Sequence, residues 1–181
     1  MKSRIKEKYY KEVVPKMKER FGYKNDLAVP KIIKVTINVG IGRYRQDEKA
    51  IEDIEKGLTL IAGQKPSFTQ AKKSIASFKT RTGQPVGLKT TLRGKRMYDF
   101  IDRLISLALP RARDFRGLEQ KSIDQGGNLN IGVKEHIIFP EISHENIRTI
   151  FGMEATLTTS AQSYEEGLEL FRLLGFPIKI S

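Results

Sequence analysis

Residues 32–42 read IIKVTINVGIG, and the alternation in this stretch decides the fold class. Ile33, Val35, Ile37, Val39 and Ile41 fall on one face, while Lys34, Thr36 and Asn38 fall on the other. A period of two with one apolar side is the pattern of a half-buried strand, whose second face remains in water. That wet face carries a cation, a hydroxyl and an amide in succession.

Outward from this strand the chain alternates helices and strands. Upstream, residues 3–21 predict a helix with Ile5, Tyr9, Val13, Met17 and Phe21 on one stripe; Pro15 is expected to kink or shorten it. Its exposed face is mostly lysine, either solvated or laid against an RNA backbone. Downstream, residues 47–62 predict a second helix, capped by Asp47, with Ile51, Ile54, Leu58 and Ile61 inward and Gly63 at its end. Short strands follow at 67–71 and 86–93, the latter with Val86, Leu88 and Leu92 inward and Lys89, Thr91 and Arg93 outward. Between them, residues 72–84 lack alternation and read as a protruding basic loop or ribbon. Residues 95–109 predict a well-buried helix stopped by Pro110, and 110–120 are irregular. Strands are expected at 126–133 and 153–161, and a last helix begins at a capping box of Ser163 and Glu166. The expected architecture is α+β: one mixed, mainly antiparallel sheet backed by helices on one face. No linker or repeat divides the chain, so residues 1–181 read as a single domain.

Charge narrows the function. The net charge is +12, yet the first 121 residues carry +16 and the last 60 carry −4. No Asp or Glu occurs between Glu55 and Asp99, a span holding ten Lys and Arg. Surfaces that only confer solubility mix both signs. A one-sign window therefore points to a polyanion, with a basic working face and an acidic far side. The outward sets of the two long strands, if neighbours, make one polar face suited to RNA, supplying cations for phosphates and hydroxyls and an amide for bases. Lys72, Lys73, Lys79 and Arg81 add charge in the loop, where Phe78 is either a stacking platform or an apolar anchor.

Catalysis finds no machinery. Gly40 and Gly42 begin a GxGxxG, but Arg45 stands where the third glycine belongs. Lys89-Thr90 lacks the preceding glycines of a phosphate loop. His136, Glu141, His144 and Glu145 lie close in sequence, but Pro140 and the loose spacing argue against a metal site and favour surface or capping histidines. There is no cysteine, hence no thiolate nucleophile or disulfide. No cofactor is expected, no apolar run suits a membrane span, and the aromatic pattern of an RRM is missing. The readings from other classes are an RNA-modifying enzyme with an unrecognised site and an RNA chaperone indifferent to sequence.

The blocks YYKEVVPKMKERFGYKN, VPKIIKVTINVGIG, TGQKP, TQAKKSIASFKTRTGQPVGLKTTLRGKRMYDFIDRLI, LPRARDFRGL and KEHIIFPEI occur in order along the chain. Together they resemble the family of bacterial large-subunit ribosomal protein five, and the resemblance extends to the terminal LLGFPIKIS. It implies a cytoplasmic, non-enzymatic component of the large subunit, monomeric outside the ribosome, that binds 5S rRNA and helps attach it to 23S rRNA in the central protuberance. Carried over by motif, it implies that Asn38, Gln64 and Thr91 touch 5S rRNA. The alternation adds Lys34, Thr36, Lys89 and Arg93 to that set. The resemblance also implies that the loop bearing Lys72, Lys73, Ser74, Phe78, Lys79 and Arg81 reaches the P-site tRNA. Arg113 and Arg116 contact rRNA or pair with Asp114 to order their loop. A contact with small-subunit ribosomal protein thirteen is implied as well, for which Glu141, Glu145 and Glu154 are the candidate acidic residues.

Overall fold

A computed structural model describes residues 3–78, 80–113, 115–142 and 148–179, with the backbone alone at Phe78. Lys79, Asp114, His144 and Glu145 thus lie outside the described residues. Five strands form one sheet: β1 (Ile32–Gly40), β2 (Ser67–Gln70), β3 (Pro85–Leu92), β4 (Leu129–Val133) and β5 (Met153–Thr159). Their spatial order is β2-β3-β1-β5-β4, and every pairing is antiparallel. The mainly antiparallel sheet expected from the sequence is antiparallel throughout its described strands. Among the described residues four longer helices, besides short 3₁₀ turns, complete the α+β fold: α1 (residues 4–21), α2 (Glu48–Ala62), α3 (residues 94–111) and α4 (Tyr164–Leu174).

The apolar face of β1 behaves as its alternation requires from Val35 onward. Val35, Ile37 and Val39 are fully buried, and Leu88, Leu92, Leu129, Ile131, Ala155 and Leu157 join them from the other strands. Burying each large aliphatic side chain stabilises the fold by roughly 1.5–3 kcal/mol, so this layer fixes the strand register. Ile33 departs from the expected pattern: it is 46% exposed, and Ile32 is buried in its place. A bulge between Ile32 and Lys34 in the pairing with β5 inserts one residue, which reverses the facing of everything before it.

Both prolines lie inside helices: Pro15 follows a π turn, and the helix holding Pro110 ends one residue past it. Helix α1 runs α-helically over Arg4–Lys8, widens into a π turn at Tyr9–Val13, and resumes over Val14–Phe21 with Pro15 in its first turn. In α3, Leu104–Ala108 is a π turn and Pro110 lies in the α-helical turn Leu109–Arg111 beyond it. The looser i→i+5 pattern lets the chain pass the missing N–H without ending the helix. It also explains the spacing of four in α1, since four residues overshoot an α-helical turn by about 40° per step and a wider turn takes up the drift. Ile5, Tyr9, Val13, Val14 and Met17 are all buried as a result. The Tyr9 hydroxyl donates to the carbonyls of Val29 and Pro30 at 3.2 and 3.1 Å, and burial pushes its pKa up to about 12.

Caps close the remaining helices as the sequence indicates. Asp47 accepts from the Ala50 N–H at 3.0 Å, and Gly63 ends α2 at φ +65°. Ser163 accepts from the Glu166 N–H, while Glu166 accepts from the Gln162 N–H at 2.8 Å and from the Tyr23 hydroxyl. Helix α4 crosses the turn before β4 with backbone against backbone: a Cβ on Gly167 would lie 2.4 Å from the Gly127 Cα. Phe100 of α3 stacks on Phe139 at 5.9 Å, tying the 136–142 segment to the helical layer.

Candidate nucleic-acid interface

The face of the sheet opposite the core is polar on every strand. Strand pairing places Ser67, Lys89, Asn38, Glu154 and Gly132 in one row across all five strands. The next row holds Thr91, Thr36, Thr156 and Asn130, and beside it Lys34 pairs with Thr158. At about 4.8 Å between strands, the five-residue row spans roughly 19 Å. Asn38, Lys89, Ser67 and Glu154 are exposed; Lys34, Thr36, Thr91, Thr156 and Asn130 are half-exposed. Lys34 and Lys89 therefore flank a field of hydroxyls and amides, with Arg93 just past the end of β3.

These side chains are largely unspent. Among the described residues, Lys34, Thr36, Asn38, Lys89, Thr91 and Arg93 have no side-chain hydrogen bond or ion pair within the chain. Thr156 and Asn130 are different, since the Thr156 hydroxyl donates to the Asn130 carbonyl oxygen at 2.7 Å. Gln64 lies outside the strand rows. The chain before β2 runs back beside the end of β3, where Arg96 donates to the Gln64 carbonyl oxygen at 3.4 Å. Six of the seven residues expected at the rRNA surface thus lie on this face or just past the end of β3, while Gln64 precedes β2 and is bonded to Arg96 of α3.

The segment between β2 and β3 extends their ladder. The Ala71 N–H donates to Gln84 O and the Gly83 N–H to Ala71 O, and Ile75 and Thr80 exchange backbone hydrogen bonds. Ser74 and Thr82 bond through their hydroxyls at 3.1 Å, and Ser74 accepts from the Thr82 N–H at 2.9 Å. Lys72, Lys73, Ser74 and Arg81 are exposed; Lys79 and the Phe78 side chain lie outside the described residues.

Other expected residues are placed apart from this surface. Arg113 and Arg116 are exposed on the loop that packs against the C-terminal tail, where Leu118 bridges to Ile178, and not in the strand rows. Of the three acids expected to meet a basic partner, Glu145 lies outside the described residues, and the other two have different surroundings. Glu141 is ion-paired with Arg103, which also donates to Ile61 O at 3.0 Å, while Glu154 sits among the polar strand residues directly opposite Asn38. His136 is no surface histidine: it is buried, stacked on Phe151 at 3.9 Å, and accepts from the Phe151 N–H at 3.4 Å. Burial lowers its pKa. Among the described residues no group of acids and histidines is arranged to hold a metal ion, and no helix is long and apolar enough to cross a membrane.

Sequence reasoning missed Ser67, Asn130, Glu154, Thr156 and Thr158 as parts of the polar face. Only the alternation of β5, with Glu154, Thr156 and Thr158 between apolar residues, hinted at them.

Two family models match in tandem: "Ribosomal protein L5" over residues 25–81, and the model of the same ribosomal family's C-terminus over residues 85–178. The chain belongs to the ribosomal protein L5 family. Similar relatives include the large ribosomal subunit protein uL5 of Thermoanaerobacter sp. (strain X514), 53% identical over 175 residues that cover 97% of this chain and 98% of that protein. The uL5 of Chloroflexus aggregans is 51% identical over 179 residues, 99% of each chain. This L5-family chain is accordingly an RNA-binding structural component of the large ribosomal subunit, working in translation and not as an enzyme. The junction between the two family models falls at residues 82–84, at the entry to β3, while the polar rows draw residues from both sides of it.

Proposed function

We propose that this L5-family chain holds 5S rRNA on the polar face of its sheet and helps anchor it to 23S rRNA in the large subunit. The observation that carries the reading is the set of cations, hydroxyls and an amide, unpaired among the described residues, that the β1–β3 register lines up on two adjacent strands. Lys34, Lys89 and Arg93 neutralise phosphates. Thr36, Asn38, Gln64 and Thr91 donate and accept at 2′-hydroxyls and base edges, contacts that a shallow RNA groove or unpaired loop offers. Glu154 in the same row repels phosphate but accepts well from base amino groups, which confines it to a point where a base, not the backbone, meets the sheet. We further propose that the 71–84 segment protrudes as a basic hairpin towards P-site tRNA, through Lys72, Lys73, Ser74, Phe78, Lys79 and Arg81. Residues 1–181 then act as one RNA-binding domain. We also propose a contact with small-subunit ribosomal protein thirteen, for which Glu141, paired with Arg103, is a weaker candidate than an unpaired acid would be.

Equilibrium binding of the purified chain to 5S rRNA and to a scrambled RNA of the same length, across a salt series, tests the reading. Tight 5S binding at physiological salt with weak scrambled binding supports it. Equal affinities that collapse together with salt indicate a basic surface without RNA specificity, as a chaperone would have.

A further inference from the structure

One end of the sheet carries a cleft of about 600 Å³, lined by Gly40 and Gly42, by Arg43, Tyr44 and Arg45, by Lys134, and by residues 150–152. Among the described residues three cations line it and no carboxylate does. This sets it apart from the groove of about 540 Å³ beside α1, where Arg4, Lys8 and Lys11 are accompanied by Glu7 and Glu12. Arg43 and Lys134 are exposed, with no ion pair or hydrogen bond from their side chains among the described residues. Tyr44 is half-buried and held in place by donating its hydroxyl to Ile150 O at 3.0 Å. Ile150 leaves 53% of its surface in solvent beside it. Above Gly40 and Gly42 the space is open: a Cβ built on either would meet nothing within 4 Å, and neither has a left-handed φ.

An aromatic ring, an apolar side chain and the cations Arg43 and Lys134 in one cleft make up the chemistry that takes a base and its phosphate together. Gly40 is the last residue of β1, two positions past Asn38 on the same face, so the cleft continues the polar rows. We propose that it holds one unstacked nucleotide of the bound RNA, the base against Tyr44 and Ile150 and the phosphate on Arg43 and Lys134. The proposal rests on the sheet face being the RNA surface, and it adds a contact at the point where the RNA leaves that face.

The test is 5S rRNA binding by the full chain across a salt series, with five variants and thermal melts as the folding control. Tyr44→Leu should weaken binding about 5- to 150-fold, and Tyr44→Phe, which keeps the ring but loses its bond to Ile150 O, should lose much less than the Leu variant. Replacing Arg43 and Lys134 together by Gln should flatten the log–log salt slope by about 0.7, as expected for one lost phosphate contact. Gly42→Val, whose Cβ would meet nothing within 4 Å, should weaken binding by filling the cleft. Asn38→Ala serves as the control on the sheet. If Asn38→Ala weakens binding while the Arg43/Lys134 and Gly42 variants match wild type in affinity and slope, the cleft assignment is wrong and the sheet reading stands. If wild type itself does not prefer 5S rRNA, both fall.

Discussion

Replacing Lys34, Lys89 and Arg93 together by Gln gives the sharpest test of the electrostatics of the sheet. Lys89 stands in the five-residue row opposite Asn38 and Ser67, Lys34 opposite Thr158, and Arg93 at the end of β3. Since none of the three side chains has a partner within the described chain, their loss should move stability by no more than about 0.5 kcal/mol per site, the range for surface substitutions without specific contacts. Their effect on RNA should be large. For single-stranded or irregular RNA each phosphate contact contributes about −0.7 to the log–log salt slope, which at 0.15 M salt corresponds to about a fourfold gain in affinity. Three contacts together give about 50-fold, and the slope should fall in magnitude by about 2. Fluorescence anisotropy of labelled 5S rRNA between about 0.05 and 0.4 M salt reads both quantities, and a thermal melt reads the fold. An unchanged slope, with or without loss of affinity, would refute the claim that these cations meet phosphates.

Three further outcomes concern the fold. Thr90 faces the core at 2% exposure with its hydroxyl buried and unpartnered among the described residues, so Thr90→Val should raise stability by about 1 kcal/mol, or roughly 2–4 °C in Tm; a lower Tm would mean that the hydroxyl is satisfied. Gly167→Ala should cost about 3 kcal/mol, because its Cβ would fall 2.4 Å from one Gly127 backbone atom and 2.6 Å from another; a melt within about 2 °C of wild type would show that α4 shifts freely. Burial depresses the pKa of His136 below its ordinary value of 6.5. The unfolded chain therefore binds the proton first, and stability should fall as pH drops through about 6.5 and be regained above it. His136→Phe should remove that component between about pH 7.5 and 5.5, and identical pH profiles for the two proteins would contradict it.

What the sequence revealed and what it hid follow from the range of the interactions. The facing of Lys34, Thr36 and Asn38 is a local matter of pleat and was legible, as were the caps at Asp47 and Ser163, whose partners lie within four residues. Ile33 was misplaced because a bulge belongs to a pair of strands, and β5 lies more than a hundred residues away. Pro15 was expected to kink or shorten its helix and Pro110 to stop its own, since proline removes a backbone donor; the π turns before them depend on packing around the whole helix. Glu154 looked like part of an acidic far side until the β1–β5 register set it against Asn38. Glu141 could not be seen to pair with Arg103, nor His136 to stack on Phe151, because the fold alone brings each pair together.

The most direct test of the central claim uses the absence of cysteine from the chain. Single cysteines can be placed at Thr156 on the polar face and at Lys56 on the exposed side of α2, each carrying a tethered iron chelate that cleaves nearby RNA. In complexes with 5S rRNA, the tether at 156 should cut the RNA at a few defined nucleotides, and the tether at 56 should leave it intact. Cleavage from 56 without cleavage from 156 would place the RNA on the helical side and contradict the assignment of the sheet.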